Sequence, residues 1–479
     1  QSQQIEAVVH DEDGNHVQGA KIYSGRSFTT SGVDGSFELE VEPGNRIVVE
    51  APGYSSQTLV IDDILSNQTI VLESDPLSIT GQHETQVAFG QKPNNEIVGF
   101  VSHINTTEVD EYDNIIWAND ILAGRTLGLL GSNSIRGIGI GINTADITGS
   151  GLSSGNALFI VDGLPRDIQS LRASEIESIS VLKDVNSSIL YGSAAVNGVV
   201  LITTKRGEAY KSQTNVSARY GISQPRALPK FLNSAEYMTY FNMARQNDGL
   251  SEQFSAETIE NYKNGNPYRY PDIDYYSSDY LKPSTSYVDV VGQLSGGNAD
   301  AKYYANFGLN SNGSLINYGT SKSARHDIFN VRGNVDLKVN DWIRTAVDGT
   351  AIFSTDNGQR GNFWSDAASI RPYEYTPLIP IDMVMADHSL VTSRKNDVDG
   401  IYLLGGNANH IRTPEGDGYA GGEYQQISRK FSFNNRINFD LDQITQGLSF
   451  HTNISFDFFT RYNQTIANEY SVYEPIWSD

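Results

Sequence analysis

From residue 214 onward, apolar and polar residues alternate with a strict period of two over long runs. In Phe329 to Val339, one face carries Phe329, Val331, Gly333, Val335, Leu337 and Val339, and the other Asn330, Arg332, Asn334, Asp336 and Lys338. In Phe431 to Leu441 the apolar set is Phe431, Phe433, Ile437, Phe439 and Leu441, broken by Asn435 and opposed by Ser432, Asn434, Arg436, Asn438 and Asp440. In Leu448 to Phe458, Leu448, Phe450, Thr452, Ile454, Phe456 and Phe458 oppose Ser449, His451, Asn453, Ser455 and Asp457. Period two places each set on one face of a strand. Runs of roughly 11 residues have the length of membrane-spanning strands, against roughly 5 or 6 in soluble sheets. The pattern predicts strands at 214–222, 285–295, 301–311, 327–339, 342–354, 429–441 and 447–461. Gly297-Asn298-Ala299-Asp300 and Asn340-Asp341 predict turns between neighbours. Residues 223–284 and 355–428 interrupt the pattern, the second rich in Gly, Asn and Tyr, and are expected as long loops.

The first part of the chain has a shorter rhythm. IEAVVHD, HVQGAKIY, SFELEV, RIVVEAPGY and SQTLVI are separated by Asp13-Gly14, Asp34-Gly35 and Pro43-Gly44, which predicts a small β-sandwich over residues 1–73. Residues 74–94 form a polar linker with Pro76 and Pro93. Residues 95–211 predict a mixed α/β unit. The apolar run before Asp162-Gly163 is a strand ending in a turn, with Asp162 capping that turn through its side chain. A strand from Ile176 to Leu182 leads to a short small-residue helix (Ser187 to Ala195), an Asn197-Gly198 turn and a strand from Val199 to Thr204. The strand-rich remainder is residues 212–479.

Composition narrows the classes. The chain has 479 residues and no cysteine, which removes disulfides and thiolate chemistry. Its net charge of −23 repels nucleic acid. It has no run of 18 apolar residues for a transmembrane helix, a test blind to β-barrels. It starts at Gln1 without a basic and apolar leader, and so reads as a mature chain after export. Gly151-Leu152-Ser153-Ser154-Gly155 fits G-x-S-x-G, but lacks the strand before and helix after that a nucleophile elbow needs. Gly137, Gly139 and Gly141 likewise lack the context of a phosphate loop. The eight His residues are scattered, and His451 lies on a polar strand face where water satisfies it. These readings predict no catalysis, no metal and no cofactor.

Residues 174–207, SEIESISVLKDVNSSILYGSAAVNGVVLITTKRG, carry Glu177, Ser178, Ile179, Val181, Leu182, Lys183, Asp184, Tyr191, Gly192, Asn197, Gly198, Val199, Ile202, Thr203, Thr204, Lys205 and Gly207 in register with a known pattern. Upstream stand Ile135-Arg136-Gly137 and the run from Ala157 through Asp162-Gly163 to Pro165. Together they resemble the plug of SusC-like TonB-dependent outer-membrane transporters. The first unit resembles a carboxypeptidase regulatory-like domain. Glu84, Thr85, Gln86, Val87, Ala88 and Phe89 resemble a TonB box, a strand-competent segment that pairs with a periplasmic partner, with Leu77–Thr80 as second choice.

The resemblance implies a mainly β fold: an N-terminal sandwich, a mixed α/β plug and part of a 22-stranded antiparallel transmembrane barrel. It implies active import of a glycan oligomer or peptide across the bacterial outer membrane, driven through TonB with ExbB and ExbD. A SusD-like surface lipoprotein and outer-membrane lipids are the further partners, with the first domain periplasmic and the long loops extracellular. Seven spanning strands fall short of such a barrel, and the tail through Pro475 does not alternate. The chain is therefore expected to be the N-terminal half of a longer one, or part of a split barrel. A multi-domain surface adhesin is the alternative, but has no use for the plug signature or for Glu84–Phe89. A carboxypeptidase would need metal-ligand spacing that is absent, and a signalling receptor would need an additional N-terminal domain.

Overall fold

In the computed structural model of the chain, the described residues are 3–25, 27–41, 46–51, 54–60, 68–73, 84–88, 90–93, 97, 99–106, 115–122, 125–126, 129–130, 134–135, 157–169, 171–184, 188–385 and 397–478. The first unit is built from β1 (Gln3–Asp11), β2 (Lys21–Ser24), β3 (Ser27–Thr30), β4 (Ser36–Val41), β5 (Arg46–Glu50), β6 (Gln57–Val60) and β7 (Gln68–Leu72). They form two sheets, ordered β4-β1-β7 and β3-β2-β5-β6. Alternate residues point inward: Ile5, Ala7 and Val9 from β1, Phe37, Leu39 and Val41 from β4, and Ile47 and Val49 from β5, meeting Ile22, Ile70 and Leu72 in one core. The Asp34 carboxylate accepts from the Ser36 amide and hydroxyl at 3.1 and 2.6 Å, closing the turn into β4.

Within the polar linker, the strand-competent segment forms a hairpin, β8 (Glu84–Val87) with β9 (Gly90–Pro93). Thr85 is buried, and Ala88 packs beside a core cluster that includes Leu182 and Val199. That packing outweighs the weak local strand signal.

The next unit is a five-stranded sheet ordered β10-β15-β16-β13-β14, with β10 at Val101–Asn105, β13 at Leu158–Val161, β14 at Leu164–Pro165, β15 at Ile176–Leu182 and β16 at Val199–Thr204. A separate two-stranded pair is β11 (Leu129–Leu130) with β12 (Ser134–Ile135). β16 runs parallel to β13 and antiparallel to β15, and its apolar run Val199–Ile202 is wholly buried between them. The predicted helix before β16 is a 3-10 segment, Ile189–Ala195, kinked at Gly192. Asn197-Gly198 returns the chain. Gly198 has φ 87°, and a Cβ there would lie 2.5 Å from Ile135 Cδ1, so only glycine fits.

All the predicted long strands form, in one antiparallel sheet. It contains β17 (Gln213–Ser223), β18 (Thr285–Gly297), β19 (Ala301–Gly313), β20 (Arg325–Lys338) and β21 (Ile343–Gln359). After the small sheet of β22 (Leu378–Pro380), β23 (Asp397–Val398) and β24 (Tyr402–Leu404) come β25 (Gly422–Asp440) and β26 (Ser449–Ala467). The order is β17-β18-β19-β20-β21-β25-β26, so β17 and β26 are the two edges. The second long insertion is shorter than expected. β21 and β25 remain paired out to Gln359 and Glu423, beyond the apolar stretch, because ladder hydrogen bonds do not require an apolar face.

Burial along these strands inverts the rule for soluble proteins. Asn330 is 0% exposed while Phe329 beside it is 42% exposed, and Asn306, Asn310, Asn334 and Asn434 are buried as Asn330 is. An apolar outer face over a polar inner one is the design of a barrel wall in hydrocarbon. Connections alternate by end. Residues 298–300, 339–342 and 441–448 are short, whereas 224–284, 314–324 and 360–421 carry the insertions.

The sandwich core is self-contained, so residues 1–75 expressed alone are expected to unfold cooperatively in urea. Ile22→Ala in that fragment is expected to lower stability by about 2–5 kcal/mol. A non-cooperative transition measured by circular dichroism would overturn the boundary.

Candidate functional site

The sequence-singled residues fall at two ends of the small sheet. At one end, Asp162 and Gly163 have φ 51° and 87°, the double left-handed turn of a tight hairpin between β13 and β14. Sequence predicts that the Asp162 carboxylate caps this turn, but in the structure it bonds elsewhere. It crosses to β16, accepting from the Thr204 amide at 2.9 Å and the Thr204 hydroxyl at 2.8 Å, because β13 and β16 are parallel neighbours that end together. At the other end, Lys183 donates to Ser102, and Asp184 accepts from the Phe100 amide at 2.8 Å, tying β15 to β10. Tyr191, Gly192, Asn197 and Gly198 lie in the connection from β15 to β16. Arg136, Gly137 and the 151–155 motif lie outside the described residues, as do Phe89 and Leu77–Thr80. Glu84, Thr85, Gln86 and Val87 form β8, followed by Ala88.

The Asp162 end is where the small sheet meets the wall. Glu175 Oε2 pairs with Arg332 Nε at 2.8 Å, and its other oxygen accepts from Asn330. Asp162 stands 3.7 Å from the same guanidinium, and its carbonyl accepts from Arg436 Nη2 at 3.0 Å. Arg206 is held between Asp336 at 2.8 Å and Asp348 at 2.8 Å. Arg172 reaches Asp289 and lies over the Trp117 ring at 5.3 Å, and Arg166 meets Asp457 at 3.0 Å. Apart from the Arg172–Trp117 contact, each of these joins a residue from 162–206 to a side chain of a long strand. Neutral groups fill the gaps: Gln293 donates to the Ser174 carbonyl at 2.5 Å, and Asn334 to the Lys205 carbonyl at 2.8 Å. Sequence reasoning placed Arg332 and Asp336 on a polar face but named neither as a contact, and it missed Glu175, Arg172 and Arg206. Full charges on a face otherwise built from Asn and Ser were the available signal.

A second assembly crowns the end that bears the insertions. Thr413 caps the short helix Pro414–Tyr419, its hydroxyl accepting from the Gly416 amide at 3.1 Å. This places Glu415 in a fully buried cage of phenols. Tyr375 donates to it at 3.2 Å and Tyr275 at 3.4 Å, which knots the first insertion to the second. Burial pushes the Glu415 carboxyl above its ordinary range, and hydrogen bonds from the phenols and the backbone draw it back only in part. Next to it lies a cavity of about 670 Å³ lined by Arg360, Arg371, Arg412, Asp366, Glu374 and Asp417. Arg412 pairs with Asp417 at 2.6 Å, and His410 with Glu374 at 3.0 Å.

Residues 101–199 match the family model of the TonB-dependent Receptor Plug Domain. Among curated relatives, the chain is 25% identical over 408 residues to TonB-dependent receptor P3 of Formosa agariphila, covering 83% of this chain and 38% of that protein. It is 29% identical over 256 residues to TonB-dependent receptor SusC of Bacteroides thetaiotaomicron, covering 50% and 24%. The chain thus spans less than two fifths of either relative's length. Among solved structures, the RagAB peptide importer in its open-open state superposes with TM-score 0.54 at 15% identity, covering 80% of this chain and 43% of that one, a likeness of fold.

Two outcomes are expected. Glu175→Ala leaves Arg332 buried without its main carboxylate, a loss of about 3–5 kcal/mol. In the complete receptor the small sheet should leave the wall at lower urea, read as channel opening in planar bilayers. The apolar double replacement E175L/R332M should cost less than E175A. For Glu415 the folded pKa lies above the unfolded value near 4.5. The native state therefore holds more protons across that window, and stability falls as pH rises from the unfolded towards the folded value. Protease resistance of the insertions should decline along that window, and E415Q should flatten the profile. An unchanged slope would remove Glu415 as its cause.

Proposed function

We propose that the chain is part of a receptor of the SusC-like branch of the TonB-dependent outer-membrane receptors, and that it forms part of an energised importer for a glycan oligomer or peptide. The observation that carries this reading is the joint between plug and wall. Hydrogen bonds and ion pairs dominate it, so water can replace those contacts as the plug moves, whereas a wholly apolar joint would resist hydration. A plug that only had to seal the barrel would have no need of that property.

The remaining roles follow the same reading. The sandwich and the short turns face the periplasm, and the long insertions face the cell exterior, as in barrels with short periplasmic turns. Glu84–Phe89 is the TonB box, where a periplasmic partner strand adds to β8 or takes the place of β9. TonB, with ExbB and ExbD, delivers the work of the inner-membrane proton gradient there. A SusD-like lipoprotein closes the outer mouth and hands over substrate. Asp162, Gly163, Lys183, Asp184, Tyr191, Gly192, Asn197 and Gly198 keep the plug in shape. The chain is divided as the sequence suggests: sandwich 1–73, linker 74–94, plug 95–211 and wall 212–479. The matched relatives are named as receptors, which supports a binding and transport role without catalysis. The cavity beside Glu415 carries both signs of charge, which favours a peptide over a neutral glycan.

Substituting proline for both Thr85 and Val87 removes two backbone donors from β8. Uptake of a labelled peptide mixture by cells is expected to fall to the level of a strain lacking TonB, while barrel assembly and surface binding persist. Unchanged uptake would move the coupling segment elsewhere, with residues 77–80 next in line.

A further inference from the structure

The sandwich does not hang free below the wall. Gly25 and Lys211 form a parallel bridge: the Gly25 amide donates to the Tyr210 carbonyl at 3.1 Å, and the Ser212 amide to the Gly25 carbonyl at 2.9 Å. Lys211 is 7% exposed; its Nζ lies 2.5 Å from Glu50 of β5 and 2.7 Å from Glu208, and 5.0 Å from the Tyr23 ring centroid. Arg46 of β5 lies over the Tyr210 ring at 5.3 Å, and Tyr210 is held at φ 64°, a backbone conformation costly for a non-glycine residue. Residues 208–212 join the end of the plug to β17, so the sandwich is fastened to the first strand of the wall.

This fastening closes a loop. The sandwich ends at Leu72 and the plug sheet begins at Val101, with β8 between them. Glu84 lies 12 residues beyond Leu72 (84 − 72), a reach of about 40 Å when fully extended. Val87 lies 14 residues before Val101 (101 − 87), a reach of about 50 Å. A pull on β8 therefore loads two arms at once, one ending in β10 of the plug and the other in Lys211. The plug arm ends in a sheet strand laddered to β15 over Val101–Asn105, while the sandwich arm ends in one bridge, one ion pair and the two ring contacts. The weaker attachment yields first.

We propose that the N-terminal sandwich is a releasable anchor, in which the Lys211 latch shares the load placed on the Glu84–Val87 segment and must open before that load bears on the plug alone. While the latch is shut, the sandwich cannot leave the wall, so β8 cannot be drawn further from the latch than the sandwich and its roughly 40 Å linker allow. Once it opens, the sandwich trails on the linker and no longer limits the distance. The proposal rests on the energised-import reading, because it needs a partner that pulls.

The test uses the complete receptor in cells. Zero-length carbodiimide coupling, read by mass spectrometry, should join Lys211 to Glu50 in the unmodified protein. These 479 residues hold no cysteine, so E50C/K211C, in a complete receptor freed of any cysteine elsewhere, introduces two thiols that a short bismaleimide can bridge. Uptake and surface binding of a radiolabelled peptide hydrolysate and a radiolabelled oligosaccharide mixture are then compared. The bridged receptor is expected to lose at least tenfold in uptake of whichever probe the unmodified receptor imports, with surface binding unchanged. E50C/K211C treated with a monofunctional maleimide, and K211C treated with the bismaleimide, are expected to keep their uptake. Absence of the Lys211–Glu50 link would overturn the docking. Undiminished uptake by the bridged receptor would overturn the need for release while leaving the import reading intact. An unmodified receptor that imports neither probe would remove the import reading, and the anchor with it.

Discussion

The polar inner face of the wall needs partners. Asn306, Asn330, Asn334 and Asn434 point away from the hydrocarbon side and would otherwise meet only water, while Arg332, Asp289 and Asp348 add charge to the same face. The plug answers with Glu175, Asp162, Arg172 and Arg206, each placed opposite a wall residue of complementary sign. Everything else in the arrangement depends on this match. It fixes the depth of the plug and turns the Asp162 end of its sheet towards the wall. The Lys183 end is left to the incoming linker.

Buried ion pairs of this kind are poor sources of net stability, because each group loses water to form them. They are strong determinants of position, because a half-broken pair costs more than either the intact pair or an apolar substitute. The joint is therefore specific without being greasy. The sandwich offers the contrast. Its interior is an apolar core in which buried Ser31 is hydrogen-bonded to the backbone, and its outer face carries Glu50 and Arg46 to the junction. Rigid bodies here are held internally by apolar packing and to one another by charge.

The long strands were legible because a hydrocarbon side and a polar side impose the same period over many residues, and few sequences satisfy that by accident. The mixed α/β unit was legible at β15 and β16, where apolar runs end in recognisable turns. The plug–wall contacts were not. A polar strand face looks the same in sequence whether it meets water or another domain, so Arg332 at the joint cannot be told from Lys338 at the strand's end. The Glu84–Val87 strand was legible only as strand-competent, and its pairing with Gly90–Pro93 was not, because four residues give too short a period and its stabilising contacts are distant in sequence. Glu415 lies in a helix of six residues, and its phenol partners come from Tyr275 and Tyr375, far along the chain.

The extra length of β21, β25 and β26 has a consequence in height. A strand of 19 residues rises about 63 Å along its own axis, and tilted by about 45° it spans roughly 45 Å along the barrel axis. The apolar band of such a wall is about 25 Å tall. Some 20 Å of paired strand therefore stands beyond the apolar band at the end that bears the insertions. The phenol cage and the charged cavity are lifted on a parapet, beyond the layer of lipid headgroups. What the cavity meets is set by the surrounding fluid and by whatever sits on the rim, while the membrane surface itself is kept at a distance.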